Sequence, residues 1–100
     1  MNTLEPFGFD DVRIDAQGNY WIVEYKGGRG HLDPGTATRP PQMDPLWVAQ
    51  RIRWLREDGN PMGNILDAAQ RAGKLRGVAI HTEYQNGVVG QTTVIRRWSY

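Results

Sequence analysis

Apolar and polar positions alternate with a period of two at both ends of the chain and with a helical period in its middle. Val12 and Ile14 alternate with Arg13 and Asp15, which predicts a short strand. Ala16 to Asn19, AQGN, is turn chemistry. Tyr20 to Lys26 then reads as a second strand, so the two form a β-hairpin with a loop of about four residues. Asp44 and Pro45 have the character of an N-cap and a first helical position. The helix they open runs from Leu46 to Glu57, with Val48, Ile52 and Leu55 at helical spacing. Asp58 to Pro61, DGNP, stops it. A second helix follows from about Met62 to Ala72, with Met62, Ile65, Leu66 and Ala69 as its apolar stripe and Gly73 as its cap. Val78, Ile80, Thr82 and Tyr84 share one face of a third strand, and Ala79, His81 and Glu83 share the other. Gln85 to Gly87 marks a turn, and Thr92 to Trp98 alternates again as a last strand.

The predicted order is β-β-α-α-β-β. A four-stranded mixed sheet with helices packed on it, an α/β (α+β) domain, is the simplest way to bury these faces. A chain of 100 residues fits one such domain, and an apolar content of 39% with four Trp supplies a modest core. No internal repeat or linker is visible. The segment from Gly27 to Met43, GGRGHLDPGTATRPPQM, has no period and is rich in Gly and Pro. A loop of this length within a compact domain is either functional or a disordered insert.

Charge narrows the function classes. The formal net charge is +1, which argues against a binder whose affinity comes from bulk positive charge. It leaves room for a nucleic-acid enzyme with local basic patches. The absence of cysteine excludes a disulfide scaffold, a zinc-thiolate site and a thiol nucleophile. No apolar run reaches about 18 residues, so no membrane-spanning helix is expected. The N-terminus lacks a basic-then-apolar signal pattern and begins almost at once on structured sequence. The expectation is a domain cut from a longer protein.

One feature interrupts the apolar pattern. Glu24 and Lys26 stand within the run Trp21, Ile22, Val23, Tyr25. Positions i and i+2 of a strand share a face, about 7 Å apart, so an acid and a base are displayed side by side. If Asp15 pairs with Tyr20 across the turn, Asp11 lies opposite Glu24; a single bulge would bring Asp10 there instead. Two carboxylates with a lysine suit Mg²⁺ or Mn²⁺, which prefer oxygen ligands. Such a cation could polarise a phosphodiester, while the lysine orients water or steadies negative charge. The bland alternative is an exposed ion pair on a half-solvated hairpin, since a bare E-x-K is a weak motif.

Gly8-Phe9-Asp10, the hairpin, Ile22-Val23-Glu24-Tyr25-Lys26-Gly27-Gly28, then Gln42-Met43 and Trp47 resemble the signature of PD-(D/E)XK, or restriction-endonuclease-like, nucleases. More narrowly they resemble the toxin nucleases of that fold in bacterial polymorphic and contact-dependent toxin systems. The likeness covers about the first half of the chain; the second half agrees in element order. It implies a Mg²⁺- or Mn²⁺-dependent endonuclease with Asp10, Glu24 and Lys26 as catalytic residues. The metal ligands would be drawn from Asp10, Asp11, Glu24 and Tyr25, with Asp10 ranked ahead of Asp11. Glu5 would be the additional helix-borne acid of such sites, although Pro6 follows it and no helix precedes it. The implied substrate is DNA ahead of RNA. The implied setting is export from a producing bacterium, action in the target-cell cytoplasm, and neutralisation by a cognate immunity protein. Two other readings remain: a non-catalytic binding or assembly module that retains the fold, and a domain whose activity needs residues upstream of Met1. Relatives of this kind often pair two sites, but no residue pattern here identifies a dimer face.

Other residues are weighed for substrate contact. His31 and Arg29 in the glycine-rich loop could touch phosphate. Gln42 could fix the loop or a water near Lys26. Arg51, with Arg39, Arg53 and Arg56, could track a phosphate backbone or simply form a solvated helix face. Arg96 and Arg97 carry the same ambiguity. His81, in mid-strand, reads as structural. Trp21, Trp47, Trp54 and Trp98 fall on apolar periods and are expected in the core. No Walker loop, Rossmann fingerprint or Ser-His-Asp order is present.

Overall fold

A computed structural model describes residues 9–100, and of Gln85 the main chain. Glu5 and Gly8, named above, lie outside the described residues. The elements are β1 (Asp11–Ile14), β2 (Tyr20–Gly27), α1 (Pro45–Glu57), α2 (Pro61–Arg71), β3 (Leu75–Gln85) and β4 (Val88–Ser99). The fold is α+β, and its four strands form one mixed sheet in the order β1-β2-β3-β4. β1 and β2 are antiparallel, β2 and β3 parallel, β3 and β4 antiparallel. The parallel pair requires a crossover, and α1 and α2 supply it.

α1 starts at the Asp44-Pro45 signal, whereas Asn60 and Pro61, expected only to stop α1, also cap and open α2. Asp44 and Asn60 are the N-caps, their side chains accepting from the N–H groups of Leu46 and Met62, and a proline follows each. The stripe Trp47, Val48, Ile52 and Leu55 of α1 packs with Leu66 and Ala69 of α2. They meet the sheet face that carries Ile22, Leu75, Ala79 and Trp98. On β3 the buried face is therefore the one with small residues. Gly77 has no room for a side chain, because a Cβ there would lie 2.6 Å from the Tyr100 hydroxyl. That hydroxyl donates to the Met43 carbonyl at 2.6 Å, closing the chain end over the helix entry.

Four expectations need correction. Ile65, expected on the apolar stripe of α2, is exposed, and Gly63, Leu66 and Ala69 are the buried residues of that helix. β3 and β4 extend well beyond Val78–Tyr84 and Thr92–Trp98, because Asn86 and Gly87 both take positive φ and make a two-residue turn that lets the strands pair up to Gln85 and Val88. The hairpin register differs as well: Ile14, not Asp15, pairs with Tyr20. Asp15 is occupied in the turn, where its carboxylate accepts from the N–H groups of Gln17 and Asn19 at 2.9 Å and from the Trp21 indole at 2.8 Å. These donors, Trp21 foremost, hold its pKa down at about 2. Finally, only Trp47 and Trp98 are buried. Trp21 is half-buried with its indole spent on Asp15, and Trp54 lies off the core stripe, 36% exposed.

Candidate functional site

The register places the acids. With Asp11 opposite Val23, continuing the pairing by one residue sets Asp10 across from Glu24. No bulge is required, because the turn absorbs Asp15. Asp10 is anchored by the Tyr25 N–H, which donates to Oδ2 at 2.8 Å. The preceding residue, Phe9, is fully buried and meets Trp47 edge-on, ring centroids 5.7 Å apart. Asp11 turns elsewhere: Arg13 pairs with it at 2.6 Å and the Tyr25 hydroxyl donates to it at 3.4 Å. The Arg13 guanidinium holds the Asp11 carboxyl below its ordinary range. The structure thus brings Asp10 to Glu24 and leaves Asp11 with Arg13. Tyr25 adjoins the acids through its main chain, with its phenol directed to Asp11.

Glu24 is a buried carboxylate, 4% exposed, with Ala79 as its β3 neighbour. Lys26, 20% exposed at its side chain, stands beside it with Nζ 3.6 Å from Oε1. Gln42 donates from Nε2 to the same Oε1 at 2.5 Å. Among the described residues the other oxygen, Oε2, is buried without a hydrogen-bond partner. Burial, reinforced by the charge of Asp10, pushes the Glu24 pKa up to about 7 against the pull of Lys26 and Gln42. A carboxylate so placed is short of one positive partner.

The long loop is ordered around this acid. Gln42 also accepts from the Asp33 N–H at 3.2 Å, while its own N–H donates to the Asp33 carbonyl at 2.8 Å. Asp33 in turn accepts from the Gly35 N–H and pairs with Arg39 at 2.7 Å. A positive φ at Gly35 makes the turn, and a Cβ there would lie 2.5 Å from the Arg39 carbonyl oxygen. Met43 is a non-glycine residue at φ 70°, held there because its side chain is fully buried and its carbonyl is taken by Tyr100. Of the two readings of this segment, the disordered insert does not describe it, since a side chain from its far end reaches Glu24.

The remaining candidates divide. His31 and Arg29 are exposed in the loop, outside these contacts. Arg51 lies on α1, stacked against Trp47 and Trp54. His81 pairs in register with Lys26 across the parallel strands. Its Nε2 lies 2.6 Å from the Gly28 carbonyl, which can only accept, so that nitrogen carries the proton. His81 is thereby a clamp on the glycine bend after Lys26. Sequence reading missed its closeness to the site, and missed Asp33 entirely. The signal for His81 was present in its phase with Ala79, but it needed the β2–β3 register to be seen.

The donor set fits a hard divalent cation. It offers, among the described residues, a buried carboxylate oxygen with no hydrogen-bond partner and a second carboxylate near enough to raise the first one's pKa, and the sequence holds no thiol to compete. Among the described residues no three His, Cys, Asp or Glu side chains cluster as a closed metal cage, so water or substrate oxygens would complete the sphere. No protein-family model matches the chain, and neither a curated protein nor a solved structure is significantly similar to it.

Proposed function

We propose that this chain is a metal-dependent endonuclease that hydrolyses phosphodiester bonds, with DNA ranked ahead of RNA. The observation that carries the reading is Glu24: a buried carboxylate with one oxygen unpartnered among the described residues, set between Asp10 and Lys26. A structural ion pair needs neither the second acid nor the orphaned oxygen. Asp10 and Glu24 would hold Mg²⁺ or Mn²⁺, and the cation would supply Lewis-acid stabilisation of the phosphodiester's negative charge. Lys26 supplies up to three N–H donors at the mouth of the site, suited to orienting a water or steadying charge on a phosphate oxygen. Gln42 fixes Glu24 Oε1, so the free oxygen keeps one direction. The glycine bend beyond Lys26, clamped by His81, keeps bulk away from the approach of a backbone.

The biological setting that goes with this reading is a toxin exported by one bacterium, acting in the cytoplasm of another, and neutralised by a cognate immunity protein. Its support is the resemblance of the first half of the chain to toxin nucleases. The test is plasmid cleavage with Mg²⁺, with EDTA and with Glu24→Ala. Cleavage that EDTA abolishes and the substitution lowers by about a hundredfold or more is the expected outcome. Equal activity in the substituted protein would sink the assigned site. No cleavage by the wild type, with nucleic acid still bound, would favour a binding module in which Glu24 and Lys26 are only an ion pair.

A further inference from the structure

Five of the ten arginines pair with acids among the described residues: Arg13 with Asp11, Arg39 with Asp33, Arg53 with Glu57, Arg56 and Arg71 with Asp67. Of the other five, Arg51 is set apart by how its side chain is held. Among the described residues it has no ion pair, and its Nε is buried without a hydrogen-bond partner. Its side-chain hydrogen bond to Gln50 is long, at 3.4 Å. Two indoles hold its guanidinium instead, with Cζ 4.6 Å from the Trp47 ring centroid and 4.7 Å from that of Trp54. Spacings of four and three residues on α1 put the three side chains on one helical edge. Trp47 is the same ring that braces Phe9, the neighbour of Asp10. Burial lowers the pKa of Arg51, and the charge of Arg39 lowers it further. A cation held rigid beside a second cation, with no acid of its own, is matched to an anion from outside.

A groove of about 580 Å³ lies on the neighbouring face of α1, which carries Leu46, Ala49, Gln50 and Arg53 rather than Arg51 itself. Pro40, Leu46 and Ala49 give it apolar walls, and Arg39, Gln50 and Arg53 give it polar ones. Gln50 and Arg39, the two residues that bear on Arg51, both line it. Its size and mixed lining suit one nucleotide unit.

We propose that Arg51, with Arg39 beside it, is a subsite for a non-scissile backbone phosphate of the DNA, and that the adjoining groove receives the flanking nucleotide. This rests on the nuclease reading above, yet it fails or stands separately. Phosphate capture by Arg51 governs affinity and its salt dependence, and it needs neither the cation nor Glu24.

The experiment is fluorescence anisotropy of a short labelled DNA duplex in EDTA, over a salt series, with the whole chain. Arg51→Gln is expected to weaken binding by about five- to tenfold and to reduce the slope of log affinity against log salt by about one. Arg51→Lys keeps the charge and so the slope, while losing part of the affinity with the planar stack. Arg71→Gln, on α2 and paired with Asp67, should change neither. If Arg51→Gln melts without cooperativity, Arg51→Met, whose unbranched apolar chain keeps contact with the two indoles without the charge, is the substitute, with the same loss of slope expected. Affinity and slope equal to those of Arg71→Gln in both variants would overturn the subsite. Arg51-dependent binding seen with RNA and not with the duplex would overturn the assignment to DNA. A protein that cleaves nothing but binds through Arg51 would refute the nuclease reading and leave the subsite standing.

Discussion

Glu24 concentrates the electrostatics of the proposed site in one side chain. Its position on a shared face with Lys26 follows from strand alternation and is plain in the sequence. Its burial is not, because nothing local says that a helix pair will cover that face. Burial, rather than the neighbouring lysine, then sets its protonation: the pKa rises from 4.5 to about 7 despite Lys26. The consequence for stability has a definite sign. An acid whose folded pKa lies above its unfolded one favours folding in its protonated form. That contribution is complete below pH 4.5 and is lost as pH rises toward 7, by about 3 kcal/mol for this separation. Metal-free protein should therefore be destabilised through this interval relative to Glu24→Gln, whose buried amide carries no charge to desolvate. Urea unfolding in EDTA at a series of pH values measures the difference directly. A constant gap between the two proteins from acid to neutral would show that Glu24 is not the titrating group. The choice between Asp10 and Asp11 was equally beyond local reading. It turned on Asp15, whose bonds to Gln17, Asn19 and Trp21 draw it out of the strand and move the register by one.

Among the elements, the helices were the most legible: Asp44-Pro45 carries the start signal of α1, while Asn60-Pro61, read as its stop, also caps α2. The loop between Gly28 and Asp44 was the least, since its order comes from contacts with no period. Gln42 is the case in point: its side chain ties Asp33 to Glu24, eighteen residues back in sequence. Such a bond between distant residues leaves no trace in a pattern of hydrophobic positions. The hinge of this arrangement is Gly35, where φ is +76° and a Cβ would meet the Arg39 carbonyl and the Pro40–Pro41 backbone at 2.5 to 2.8 Å. Backbone atoms cannot rotate away as a flexible side chain could. Gly35→Ala should therefore cost more than the ordinary penalty for a left-handed alanine, about 1–2 kcal/mol. On the proposed nuclease reading it should also lower cleavage, because the Asp33 turn that presents Gln42 would open. Chemical denaturation and plasmid cleavage test the two halves separately. A variant as stable and as active as the wild type would mean that Gln42 reaches Glu24 without help from the turn.

The whole molecule adds two things that no single element contains. Parallel pairing of β2 with β3, made possible by the helical crossover, brings His81 beside Lys26 although more than fifty residues separate them. The same topology leaves β4 at the edge of the sheet, where every residue from Val88 to Arg97 is exposed. From Val88 to Ile95 that strand carries no charge and no proline, and Val88, Val89, Val94 and Ile95 are its exposed apolar side chains. An edge of this kind offers unpaired main-chain donors and acceptors, guarded over this stretch by two breaks in its register with β3 rather than by charge or proline. Concentrated protein should still self-associate through β4. Val89, 62% exposed and opposite Tyr84 near the turn, is the place to interrupt it. Val89→Lys adds a charge to the edge while removing little buried surface, so folding stability should stay within about 0.5 kcal/mol of wild type. Association, followed by light scattering as concentration rises, should move to higher concentration. Substituting Arg71, which lies on α2 away from the edge, should not move it. If the lysine leaves the onset where it was, association proceeds through another surface, and the register breaks are guard enough for β4.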